Sequence, residues 1–156
     1  MKNLFFLISL IGIPSLASAQ TGVTVKFLYN NKTLEIEKEL VNFSSKDTLQ
    51  IILESREAIN VEEIRVQPFF AKFSGSGAGQ QVQTQQKVKL VQGDYKRFKG
   101  LSNQKKIIIK IPVKSFPGNN LSKLKLNVVN CTNKKGDKLI RSNKAFEIFS
   151  PLASRI

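Results

Sequence analysis

The chain of 156 residues contains no histidine, no tryptophan and a single cysteine, Cys131. Without histidine, the usual acid–base group at neutral pH is missing, so Ser-His-Asp and Cys-His catalytic arrangements are excluded. Metal sites built on histidine or on several cysteines are excluded too, which leaves only oxygen ligands for hard cations. One cysteine cannot form an intrachain disulfide, so apolar packing must stabilise the fold, and we expect Cys131 to be buried. The composition therefore predicts a protein that is not an enzyme and has no cofactor and no metal site.

Acidic residues are also few, with 11 Asp and Glu against 25 Lys and Arg. Glu35, Glu37 and Glu39 alternate along one predicted strand, which is typical of the solvated face of a half-buried sheet. A glycosidase would need two carboxylates held across a cleft, and without tryptophan the chain offers little for a sugar platform. We therefore interpret the carboxylates as surface groups, and a small hydrolase is the function that the sequence disfavours most.

The N-terminus has the layout of a secretory signal peptide. Lys2 precedes an apolar run at residues 4–13, and Ala17, Ser18 and Ala19 form a cleavage pattern of small residues. The run is too short for a permanent membrane span, and no second long apolar segment follows it. We predict that residues 1–19 are removed and that residues 20–156 form a single domain outside the cytoplasm, either periplasmic or secreted. The Lys- and Asn-rich composition with few arginines is typical of a bacterial protein.

Apolar residues then recur with a period of two over most of the chain, which indicates β-strands. Strands are predicted at 23–29, 33–38, 48–54, 61–73, 80–91, 105–113, 124–128, 138–140 and 145–149, with Asn30 and Asn31 in a turn. The sequence of residues 55–60 predicts one helical turn. Pro68 indicates that its strand either lies at a sheet edge or is broken there. Short strands separated by frequent turns favour an antiparallel β-sandwich of immunoglobulin-like architecture, with a small β-barrel as the alternative. The predicted inward positions include Val25, Phe27, Ile51, Leu53, Ile109, Leu126 and Val128.

Positive charge is concentrated in the C-terminal half of the chain. Residues 20–86 carry seven basic and eight acidic side chains, whereas residues 87–156 carry seventeen basic and three acidic ones. Such asymmetry predicts a lopsided surface field that attracts an anionic partner, unless the two halves interleave in the fold. Lysines on exposed strands also prevent aggregation between sheet edges, and that interpretation stays open. The candidate patch for the anionic partner is Lys96, Arg97, Lys99, Lys105, Lys106, Lys134 and Lys135.

Together these features predict a non-enzymatic binding or structural module, a component of a bacterial envelope assembly. Its basic half would contact a protein or an anionic envelope polymer. Nucleic acid is disfavoured because only Tyr95, Phe98 and Phe116 are interleaved with the basic residues and no recognition motif is present. The alternative is a soluble periplasmic carrier of a small apolar ligand, for which the interior would have to be unfilled.

Overall fold

One long central strand organises the fold. The computed structural model describes residues 22–36, 38–74, 87–141 and 144–151. Its strands form one curled antiparallel sheet, a half-barrel, so the all-β prediction is confirmed. The seven strands are β1 (Val23–Tyr29), β2 (Lys32–Leu34), β3 (Thr48–Ser74), β4 (Lys87–Gln92), β5 (Lys96–Pro112), β6 (Leu121–Asn133) and β7 (Ala145–Phe149). A 3-10 turn, Val113–Ser115, follows β5.

The 27 residues of β3 have neighbours along both edges. Ile51 pairs with Phe27 of β1 on one edge and with Ile109 of β5 on the other. Further along β3, Ile64 pairs with Val128 of β6 on the edge that β1 uses, and with β5 on the opposite edge. Thus β1 and β6 follow each other along one edge, and β5 and β4 follow each other along the opposite edge. Strands β2 and β7 extend the sheet beyond β1 and β6.

Three local predictions are wrong, and the prediction for Pro68 is confirmed in part. The strand predicted at 33–38 ends at Leu34. Residues 55–60 form no helical turn but stay extended within β3, where the pairing with β5 shifts register. Pro68 does not break β3, but it lies at a local edge, because neither β4 nor β5 pairs with it. Its carbonyl accepts a hydrogen bond from the Gly93 N–H at 2.9 Å, so its backbone faces the gap between β4 and β5, where a missing N–H breaks no ladder. The strand predicted at 138–140 is reduced to one bridge between Lys138 and Thr132.

The concave inner face of the sheet holds the core. Of the seven predicted inward positions, six are buried and Val25 is partly buried against the core. Cys131 is fully buried, as predicted, and burial raises the pKa of its thiol to about 11. The ring centroids of Phe27 in β1 and Phe146 in β7 lie 6.4 Å apart. The sheet therefore has two wings, one formed by β1 and β2 and the other by β6 and β7, which meet across the interior.

Candidate anion-binding surface

The predicted basic residues lie mainly along one margin of the sheet. Strands β4 and β5 follow each other along the same edge of β3, and we call residues 87–112 the lip of the half-barrel. The lip contains eight Lys and Arg residues but only one acidic residue, Asp94. Five of the seven candidate residues belong to it, whereas Lys134 and Lys135 lie in the turn after β6.

On the outer, convex face of the sheet, cations of the lip meet β3. Arg97 and Lys99 flank an inner-face residue of β5, so their own side chains lie on the outer face. Their register partners on β3 are Arg65 and Glu63, respectively. Arg65 Nε donates to Glu63 Oε2 at 2.7 Å, and Arg97 Nε lies 3.7 Å from Glu63 Oε1. These four residues, which we call the Glu63 cluster, place three cations around one carboxylate and leave a surplus of positive charge.

A shift in the alternation of inner and outer residues brings Glu63 to the outer face. Val61 and Ile64 are successive buried core residues of β3, and they are three positions apart rather than two. The neighbouring strands are irregular at the same level, where Gly100 of β5 and Asn130 of β6 have φ angles of 73° and 48°. The register of β3 with β5 and β6 continues through this level, so no residue is inserted and the alternation shifts on all three strands together. An uninterrupted period of two would have directed Glu63 into the core.

Glu63 is buried beneath the cations, with 3% of its surface exposed. The hydrogen bond from Arg65 is the main cause that lowers the pKa of Glu63, and the charges of Arg65, Arg97 and Lys99 lower it further. Ionised Glu63 therefore holds both arginines in place. Some buried side-chain oxygens at this place have no hydrogen-bond partner within the described part of the chain. They are Glu63 Oε1, Gln67 Oε1 and Asn127 Oδ1. Because these oxygens are buried, the cations above them are the groups that a partner can reach.

A second group of charges lies further along the lip. Lys106 Nζ is 2.8 Å from Glu54 Oε1, and Lys26 Nζ of β1 is 2.7 Å from Glu54 Oε2. Hydrogen bonds from Lys106 and Lys26 lower the pKa of Glu54 to about 2. Lys99 and Lys106 are seven positions apart along β5, which is a distance of roughly 23 Å at about 3.3 Å per residue. Because this exceeds the Debye length of about 10 Å at 0.1 M salt, the two groups act separately.

The remaining candidate residues are not part of either group. Lys96 is the register partner of buried Val66, and its Nζ lies 5.4 Å from the ring centroid of Phe116. Lys105 precedes Lys106 and is exposed. Lys134 and Lys135 are exposed in the turn that Asn133 and Asp137 close. The structure thus divides the seven candidates among several places, and only Arg97 and Lys99 share one cluster.

Sequence reasoning missed the partners of these cations. Arg65, Glu63, Glu54 and Lys26 belong to the nearly neutral N-terminal half, and no spacing in the chain marks them as a group. Their role follows from the position of β3 between β5 on one edge and β1 and β6 on the other. The two halves of the chain therefore interleave, and carboxylates of the N-terminal half lie beside cations of the C-terminal half.

Two open cavities lie near the end of β3, away from the Glu63 cluster. One, of about 470 Å³, is lined by Phe70, Phe73 and Val91, and the other, of about 360 Å³, by Phe43 and Phe116 among others. Within the described ranges, no group of three or more acidic or cysteine side chains is placed to hold a metal ion. None of the helical structure in the described part of the chain is long and apolar enough to cross a membrane. No family model, curated protein or solved structure matches this chain.

Proposed function

We propose that this protein is a non-enzymatic binding module outside the cytoplasm, a component of a bacterial envelope assembly, and that its lip contacts an anionic partner. The Glu63 cluster carries the proposal. The side chains of Arg65 and Arg97 are 42% and 54% exposed, while Glu63 beneath them is buried and engages their Nε atoms. Their terminal N–H donors are thereby left to the solvent side, in the fork geometry that suits a carboxylate, sulfate or phosphate.

The partner that fits this surface is a protein or an envelope polymer with anionic groups. Three cations around one buried carboxylate leave a surplus of positive charge, which attracts anionic groups of a partner. The location outside the cytoplasm is supported by the sequence of residues 1–19, which lie outside the described residues. A partner in the envelope is consistent with that location.

The core supports a module rather than a carrier. Buried apolar side chains of β1, β3, β5, β6 and β7 fill the inner face, so this region offers little room for a ligand. The open cavity beside Phe70 is the feature that a carrier of a small apolar ligand would use. We also propose the immunoglobulin-like sandwich as the finer description of the fold, because the wings formed by β1–β2 and β6–β7 face each other across the core as two layers do.

The binding proposal is tested with dextran sulfate, a polyanion without backbone amides. We compare the variant Arg97→Gln/Lys99→Gln with the control Lys134→Gln/Lys135→Gln, which removes the same charge from an exposed turn. Neutral glutamine avoids placing a second carboxylate beside Glu63. At about 0.1 M salt, we expect the first variant to bind about tenfold more weakly than wild type and the control to stay near wild type, with all differences shrinking as the salt concentration rises further.

Folding of both variants is checked by circular dichroism and thermal unfolding. If both variants bind dextran sulfate equally weakly, only the net charge matters, and the Glu63 cluster is not a specific anion-binding site. Wild-type protein that does not bind the polyanion at low salt would refute the proposed function.

A further inference from the structure

The lip exposes an unpaired strand edge. Strand β5 is 17 residues long and pairs with β3 along one edge only. No other strand or bridge among the described residues pairs with its opposite edge. An exposed edge presents a row of backbone N–H and C=O groups that can pair with another chain.

The hydrogen bond from the Val113 N–H to the Asp47 carbonyl, at 2.9 Å, shows which backbone groups point outward. It makes these two residues a hydrogen-bonded pair next to the register pair Pro112–Thr48. Since hydrogen-bonded and non-hydrogen-bonded pairs alternate in an antiparallel ladder, the odd-numbered residues 107–111 bond to β3. The even-numbered residues, Lys106, Ile108 and Lys110, direct their N–H and C=O groups away from it.

The same three residues present their side chains on the outer face. Lys106, Ile108 and Lys110 are exposed, Ile108 by 49%, whereas the odd-numbered isoleucines between and after them are buried. The register with β3 is uninterrupted over this stretch. Nearer the start of β5, the positive φ angles of Gly100 and Asn103, 73° and 55°, interrupt the regular edge. The segment 106–110 is therefore the regular part of the edge that another strand can use.

We propose that this segment binds an extended acidic segment of a partner protein, which adds to β5 as an antiparallel strand. The inference rests on the proposed function, because it assigns the anionic partner of the lip to the class of proteins. Backbone hydrogen bonds would supply affinity, and side chains opposite the β5 residues would supply specificity. The matching pattern in the partner is an acidic residue opposite Lys106, an apolar residue opposite Ile108 and an acidic residue opposite Lys110.

Charge favours an acidic strand over the other occupants of this edge. In a symmetric pairing of two copies centred on Ile108, Lys106 of each copy would face Lys110 of the other, and like charges directly opposite each other destabilise a sheet. The longer parts of this chain outside the described residues, 1–21, 75–86 and 152–156, contain no Asp or Glu. Among the described residues, Lys106 has a carboxylate partner, Glu54, and Lys110 has none, so the edge keeps a surplus of positive charge for an acidic strand.

The probe is a blocked peptide, Thr-Glu-Thr-Val-Thr-Glu-Thr, together with two N-methylated derivatives. In the proposed pairing, the N–H groups of the two Glu residues and of Val point to β5, whereas those of the central Thr residues point away. N-methylation of Glu, Val and Glu should therefore weaken binding by about tenfold or more, because these hydrogen bonds are lost. N-methylation of the Thr residues between them keeps charge and side chains identical and should leave binding within about twofold.

A protein variant gives the reciprocal test. Ile108→Pro removes an outward N–H without removing a hydrogen bond to β3, and Ile108→Val is its control. We expect the proline variant to lose peptide binding while it keeps dextran sulfate binding through the Glu63 cluster, and circular dichroism reports whether each variant is folded.

The outcomes separate the two proposals. If both N-methylated derivatives bind as well as the parent peptide, strand addition is wrong although an anionic partner remains supported. Strand addition is also wrong if dextran sulfate binds and no peptide does. In that case the lysines of this segment protect the strand edge against aggregation. If neither ligand binds, the proposed function fails as well.

Discussion

Neighbouring isoleucines of β5 provide a sharp test of the register. Ile109 is 6% exposed and pairs with Ile51 in the core, whereas Ile108 is 49% exposed on the outer face. Replacing isoleucine with alanine removes three methylene-sized groups, worth about 0.8 kcal/mol each when fully buried. For Ile109→Ala this gives about 2.4 kcal/mol, and the cavity left behind brings the loss of unfolding free energy into the range of about 2–5 kcal/mol.

For Ile108→Ala, about half of the side chain is already in water in the folded protein. The same transfer energy then gives about 1.2 kcal/mol at most, with no cavity term. Urea unfolding measures both variants, and the m value should stay unchanged. Equal losses, or a larger loss for Ile108→Ala, would refute the assignment of faces. A slip of one residue between β5 and β3 would exchange the inner and outer side chains of the strand.

Two further predictions concern a carboxylate and the N-terminus. Because the pKa of Glu54 falls from 4.5 to about 2 on folding, its ion pairs stabilise the protein above pH 4.5, and this contribution is lost as the pH drops from 4.5 towards 2. Urea midpoints of wild type and Glu54→Gln should therefore differ most above pH 5 and converge near pH 2, and a difference independent of pH would contradict the pairing. Protein recovered from outside the cytoplasm should have an intact mass that starts at Gln20, and retention of Met1 would overturn the export prediction.

Local patterns predicted the regular short strands well. The bounds of β1 and β7 are those predicted, and Asn30 and Asn31 have the positive φ angles expected of their turn, 50° and 65°. The length of β3 was not predicted, because residues 55–60 lack alternation and a strand of 27 residues is far longer than is usual. The first half of β5 was missed for a similar reason. Residues 96–104 are mostly polar, and their pairing with β3 rather than their own periodicity makes them a strand.

The candidate site was predictable only in part, since it is made by pairing between distant segments. Arg97 and Lys99 were found because lysines and arginines are frequent after residue 86. Glu63 and Arg65 were not, because a strict period of two would place Glu63 inside, and the shift in alternation that reverses its direction involves three adjacent strands. A positive φ at Asn130 carries no signal in the sequence beyond the tolerance of asparagine for that conformation.

The interleaving of the two halves changes the interpretation of the net charge. If the basic residues served solubility alone, they would not need to lie over carboxylates of β3. Instead, Glu54 and Glu63 each engage two cations through ion pairs, and this fixes long side chains on the outer face at the cost of their rotamer freedom. Exposed ion pairs contribute little to stability. Their effect is rather to fix Arg97 and Lys106 on the strand whose second edge no described residue pairs with, and we expect this ordered positive charge to favour an acidic strand there.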